Sequence, residues 1–95
     1  MIERHVTFDV HPDMGEDFEK LFSEKYRPAM STQPGFVKVE LLREQENPRH
    51  YQMIIRFQTA EDASAWRDSP EHKALSPLLK ALYTTSTLQV YDVIV

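Results

Sequence analysis

Apolar and polar residues alternate from Ile2 to Val10, with Ile2, Val6, Phe8 and Val10 on one side and Glu3, His5, Thr7 and Asp9 on the other. This period of two predicts a half-buried strand, with Arg4 as the one charge in its apolar set. The period then changes. Phe18, Leu21, Phe22 and Ala29 recur at helical spacing behind Asp13 and Glu16, a capping-box-like pair. A helix is expected from about Met14 to Pro28, distorted near its end by Pro28. After the Pro34-Gly35 punctuation, Val37, Val39 and Leu41 alternate with Lys38, Glu40 and Leu42 in a second strand. A polar turn from Glu44 to Arg49 leads to a third, in which Tyr51, Met53, Ile55 and Phe57 alternate with Gln52, Ile54, Arg56 and Gln58. The two should pair as a hairpin. Thr59 and Asp62 signal another helix start, with Ala63 and Trp66 facing inward. Ser69-Pro70 and Ser76-Pro77 each set a cap residue before a proline, so this second helical region is expected to be broken. Leu88, Val90, Asp92 and Ile94 alternate with Thr87, Gln89, Tyr91 and Val93 in a last strand that reaches the carboxyl terminus.

The order βαββαβ is that of the ferredoxin-like α+β fold, a four-stranded antiparallel sheet with both helices on one face. The other sheet face would carry His5, Thr7, Ile54 and Arg56, a mixture too apolar for ideal solvent surface and too polar for an ordinary core. A partner sheet or a ligand is its natural cover. Residues 1–95 show no repeat, low-complexity stretch or linker and are expected to form one domain. A domain this short buries only about 60–65% of its unfolded surface, which favours association with a second copy.

Composition narrows the chemistry. No cysteine is present, which removes disulfides and thiolate nucleophiles. Eleven basic against fifteen acidic residues give a net charge of −4, the wrong sign for a dedicated nucleic-acid binder. RNA recognition motifs share the element order, but Arg49 to Arg56 lacks their glycines and places only Tyr51 at a stacking position. No apolar run approaches the ~18 residues of a membrane span, and a cytoplasmic protein is the expectation. Gly15 and Gly35 are the only glycines, so there is no phosphate-cradling loop, and no Ser-His-Asp or Gly-x-Ser-x-Gly pattern occurs.

Three stretches together resemble the antibiotic biosynthesis monooxygenase (ABM) family: Gln33-Pro34-Gly35-Phe36-Val37-Lys38-Val39-Glu40-Leu41-Leu42, Tyr51-Gln52-Met53-Ile54-Ile55-Arg56-Phe57, and Ala65-Trp66-Arg67-Asp68-Ser69-Pro70-Glu71-His72-Lys73-Ala74-Leu75. The resemblance covers nearly the whole chain and implies a homodimer that pairs sheet to sheet as a dimeric α+β barrel. It implies several outcomes for activity: oxygenation of aromatic polyketides or quinols without a cofactor, haem degradation, turnover of small signalling molecules, or no reaction. The haem-degrading branch uses a first-strand asparagine, a helix tryptophan and a histidine about three turns further on. Trp66 matches the tryptophan, whereas Arg4 or His5 and Ser76 stand at the other two positions. Haem degradation is therefore not expected.

The candidate site residues are Trp66, His72 and Arg56. Trp66 would stack on a flat substrate, or else fill the space between helix and sheet. His72 would act as a base, though six residues at ~100° each turn it away from Trp66 on a continuous helix. Arg56 would donate to a developing oxyanion, as could Tyr26, Tyr51 or Tyr83, and Asp9 would orient a substrate carbonyl or else join a salt bridge. His5, His11 and His50 lack ligand spacing, so no metal is expected. The expected function is a monooxygenase acting on a small aromatic or quinol-type molecule without metal or flavin. The alternative is a non-catalytic or signalling-molecule-handling barrel.

Overall fold

A computed structural model describes residues 1–95; in it the four alternating segments become strands β1 (Ile2–Val10), β2 (Phe36–Arg43), β3 (His50–Phe57) and β4 (Tyr83–Asp92). They form one antiparallel sheet in the order β2-β3-β1-β4. The side-chain alternation of β3 is complete: Tyr51, Met53, Ile55 and Phe57 are all buried. Strand β1 lies centrally, with Arg4 opposite Ile55 on one side and Val90 on the other. Arg4 thereby shares the helix-covered face with Ile2, Val6, Phe8 and Val10, because directly paired residues project to the same side. Strand β4 begins earlier than its alternation suggested and stops at Asp92. It is an edge strand, exposed along its length after Tyr83.

The first helical run is α1 (Gly15–Leu21), a π-helical turn (Phe22–Tyr26) and α2 (Arg27–Ser31). Asp13 and Glu16 do not form the expected capping box. Asp13 instead takes a left-handed turn with φ 65°, and Met14 begins the helix without a side-chain cap. The helix also continues through Pro28, and its distortion is the π turn just ahead of the proline. Phe18, Phe22, Tyr26 and Met30 are all buried. A four-residue spacing drifts by about 40° per step on a regular α-helix. The wide π turn absorbs part of that drift and holds all four rings and chains on the sheet.

The second helical region is α3 (Ala60–Arg67) and α4 (Pro70–Lys80). Thr59 caps α3 by accepting from the Asp62 N–H at 3.0 Å. The expected break at Ser69-Pro70 is present; the one at Ser76-Pro77 is not, since Pro77 lies inside α4. Lys73, whose carbonyl loses its donor there, is exposed, so water can satisfy it.

One glycine is obligatory. Gly35 has φ +76°, and a Cβ there would collide with the Asp62 side chain. Gly35→Ala should destabilise the protein by about 1–3 kcal/mol in urea unfolding. Adding Asp62→Ala removes the carboxyl group but keeps the Cβ 2.8 Å away, so it should recover part of the steric loss and leave the backbone part; a double variant as unstable as Gly35→Ala alone would refute this division.

Candidate active site

The break between α3 and α4 assembles the candidate site. Arg67 ends α3, and the buried Ser69 hydroxyl donates to the Trp66 carbonyl at 2.6 Å while accepting the His72 N–H at 3.1 Å. The second helix therefore restarts with a new direction, and the angular argument from a continuous helix fails. The Trp66 and His72 rings meet edge to face with centroids 5.2 Å apart. Tyr26, delivered by the π turn, stands 5.5 Å from Trp66 and 6.2 Å from His72. Trp66 is only 2% exposed, so its indole is a wall behind His72 rather than a free stacking surface.

Electrostatics sets the protonation states. Burial pushes the His72 pKa below its ordinary 6.5, and the cations Arg67, Arg4 and Lys80 push the same way. His72 is accordingly a neutral imidazole at neutral pH, able to accept a proton. Burial drives the Tyr26 phenol up to about 12, partly offset by its contact with Trp66, so it stays protonated and can donate. Arg4 reaches the same region from β1. Its Nε is buried without a hydrogen-bond partner.

Arg56 is not part of this group. It projects from the opposite face of the sheet, where its Nε donates to Glu3 at 2.7 Å. Glu3 also accepts from His5 Nε2 at 2.8 Å, and that hydrogen bond is the largest cause of its lowered carboxyl pKa. Gln52 donates to His5 Nδ1 at 3.2 Å, completing a chain across four side chains of the open face, Arg56, Glu3, His5 and Gln52. Asp9 lies on that face too, accepting from Thr85 at 2.6 Å and bonded to His50 at 2.9 Å. Tyr51 donates to Glu19 at 2.6 Å far from Trp66, and Tyr83 packs its ring on Phe8. Of the three tyrosines, Tyr26 alone joins Trp66 and His72.

Arg4 is the residue that sequence reasoning passed over. Its signal was present as the single charge within the apolar set of the first strand. A cleft of about 1090 Å³ lies elsewhere, between α1 and the β2–β3 hairpin. It is open to solvent, and its Glu19, Arg43 and Tyr51 already satisfy one another, with Arg43 donating to Glu19 at 2.9 Å. It contains no buried unpaired group of the kind found at Arg4. No cluster of three or more metal-ligating side chains occurs, and no helix is long and apolar enough to cross a membrane.

The family model for antibiotic biosynthesis monooxygenase matches residues 1–77. A 42.8 kDa protein in the whiE locus of Streptomyces coelicolor is 30% identical over 85 residues, which is 88% of this chain but 21% of that protein. The chain thus spans about a fifth of that relative's length. SnoaB, a cofactor-independent oxygenase from Streptomyces nogalater, superposes with a TM-score of 0.88 at 25% identity, covering 98% of this chain and 92% of that one. A putative antibiotic biosynthesis monooxygenase from Nitrosomonas europaea gives a TM-score of 0.89 at 16% identity over the whole of both chains, a likeness of fold.

The lowered His72 pKa has a consequence for stability. The folded state binds this proton less readily than the unfolded chain, so the stability is fully present above 6.5 and is lost as pH falls below that value through the lower folded pKa. Thermal unfolding followed from about pH 8 to about pH 5 should show a decline that His72→Gln reduces. An equal decline in both proteins would refute the assignment.

Proposed function

The chain belongs to the antibiotic biosynthesis monooxygenase family, and we propose that it is a cofactor-independent oxygenase of a small, flat, electron-rich aromatic or quinol-type molecule. The observation that carries this reading is a neutral His72 held against Trp66 beside the protonated Tyr26. The likeness to SnoaB at 25% identity supports the same chemistry. Here His72 is the base and Tyr26 the donor to a developing oxyanion, the role expected of Arg56 or a tyrosine. Trp66 orients His72 and keeps water from it.

The reaction needs no external reductant. A proton passes from an activated CH2 of the substrate to His72, and the resulting carbanion transfers one electron to O2. The substrate radical and superoxide combine to form a C–O bond, and protonation gives a hydroperoxide. Loss of water then breaks the O–O bond and leaves a carbonyl. The substrate carbon supplies all four electrons, one oxygen atom ends in the carbonyl and the other in water. Exclusion of water from His72 by Trp66 would favour this sequence, because the anion is then stabilised by fixed donors rather than by solvent.

One observation favours the second reading, a non-catalytic barrel: Trp66 is almost sealed by its neighbours. Oxygen uptake with a panel of anthrones and quinols separates the two. We expect consumption above background with at least one compound, reduced about 100-fold in kcat by His72→Gln. Uptake at the background rate across the panel, with a correctly folded protein, leaves the non-catalytic reading.

We propose further that the open sheet face packs against the same face of a second copy. Support comes from its half-buried, mutually bonded Glu3, His5, Gln52 and Arg56, a polar surface already satisfied internally and able to lose water at little cost. Sedimentation equilibrium should give a dimer at micromolar concentration, and a stable monomer there would refute it.

A further inference from the structure

Three cations gather on the helix side of the sheet with no counter-charge. No carboxylate lies within salt-bridge distance of Arg4, Arg67 or Lys80, although the five ion pairs of the chain engage Glu3, Asp9, Glu19 and Glu40 elsewhere. Arg4 makes no hydrogen bond, and its Nε is buried. A half-buried guanidinium in this condition is costly, because the charge has lost water and gained no acceptor. The cost is relieved by any anion that reaches it.

The surroundings show what shape that anion has. The helices cover β1 and β3 but leave the same face of β4 bare, where Leu88 is 49% and Val90 56% exposed. Val90 is the direct cross-strand neighbour of Arg4, and Leu88 that of Val6. An apolar ledge therefore runs from the guanidinium to the sheet edge, and Arg4 is near enough to His72 to act on its charge. A flat hydrocarbon ring laid on Val90 and Leu88 would place a substituent against Arg4.

We propose that Arg4 is a specificity-determining residue that selects aromatic molecules bearing a carboxylate or other fixed anionic oxygen, held by charge-assisted hydrogen bonds while the ring lies on Val90 and Leu88. The inference deepens the oxygenase reading by naming the charge class of the substrate. A planar anion also suits the guanidinium fork, which pairs with carboxylates through two parallel hydrogen bonds.

Binding can be read without turnover. Isothermal titration calorimetry with 2-naphthoate and its neutral counterpart 2-naphthamide should show the anion binding about tenfold or more tightly. Arg4→Met should abolish that preference and leave 2-naphthamide binding within about twofold, while Arg4→Lys, which keeps the charge but not the fork, should retain part of it. Equal affinities for the two probes, or a preference that survives in Arg4→Met, overturns the proposal. Protection of the β4 amides from hydrogen exchange that rises with protein concentration and with neither probe would give the ledge to a second copy and overturn it as well. A preference for 2-naphthoate with no oxygen uptake would leave the anion site standing and remove the oxygenase reading; oxygen uptake without the preference would do the reverse.

Discussion

The Ser69 hydroxyl is the interaction on which the candidate site depends. It is a buried group with two partners, donating to the carbonyl that belongs to Trp66 and accepting the N–H that belongs to His72. One atom thus ends α3 and caps α4, and it fixes the two residues whose rings touch. Pro70 contributes by occupying the first helical position, where its locked φ suits a helix start and its absent N–H is not missed. Without this junction, a continuous helix would carry His72 around to another face.

The two faces of the sheet handle charge in opposite ways. On the open face, Glu3, His5, Gln52 and Arg56 form a closed set of hydrogen bonds, and Asp9, His50 and Thr85 form another. Each charged group there has a partner from the same molecule. On the helix face, Arg4 stands among Ile2, Val6 and Phe8 with no acceptor, and Tyr26, Trp66 and His72 supply rings but no negative charge. The contrast separates a surface that is internally complete from one that is complementary to something else.

The fold was legible in the sequence because it follows from periodicity that burial enforces. The alternation in β3 and the cap at Thr59 are local patterns, and both survive in the structure. The site was legible only in part. Trp66 and His72 could be singled out as residues, but their contact depends on the angle between two helices, which no short window encodes. Arg56 lay on the third strand with a suitable chemistry, yet parity along β3 places it on the face opposite Trp66. Arg4 was visible as an exception to alternation and was not credited with a role. Asp13 and Glu16 matched a capping box in spacing, but Asp13 is in a left-handed turn and Met14 takes the cap position without a side-chain hydrogen bond. Pro28 marked an expected distortion, and a π turn lies just before it; Pro77 marked an expected break, yet α4 runs through it where water can replace the lost bond.

The edge strand β4 has a consequence for how the protein behaves in concentrated solution. From Tyr83 to Tyr91 the sequence is Tyr-Thr-Thr-Ser-Thr-Leu-Gln-Val-Tyr, without one charged residue, proline or glycine. Such a segment has high strand propensity and lacks the lysines and prolines with which exposed edges ordinarily discourage end-on pairing. Its outer row of N–H and C=O groups is a template for any other strand of similar composition. The strand that leaves the Arg4 ledge open to a small molecule is therefore also the place from which fibrillar self-assembly would start. Protection against it rests on whatever covers this edge, since the strand carries no gatekeeper of its own.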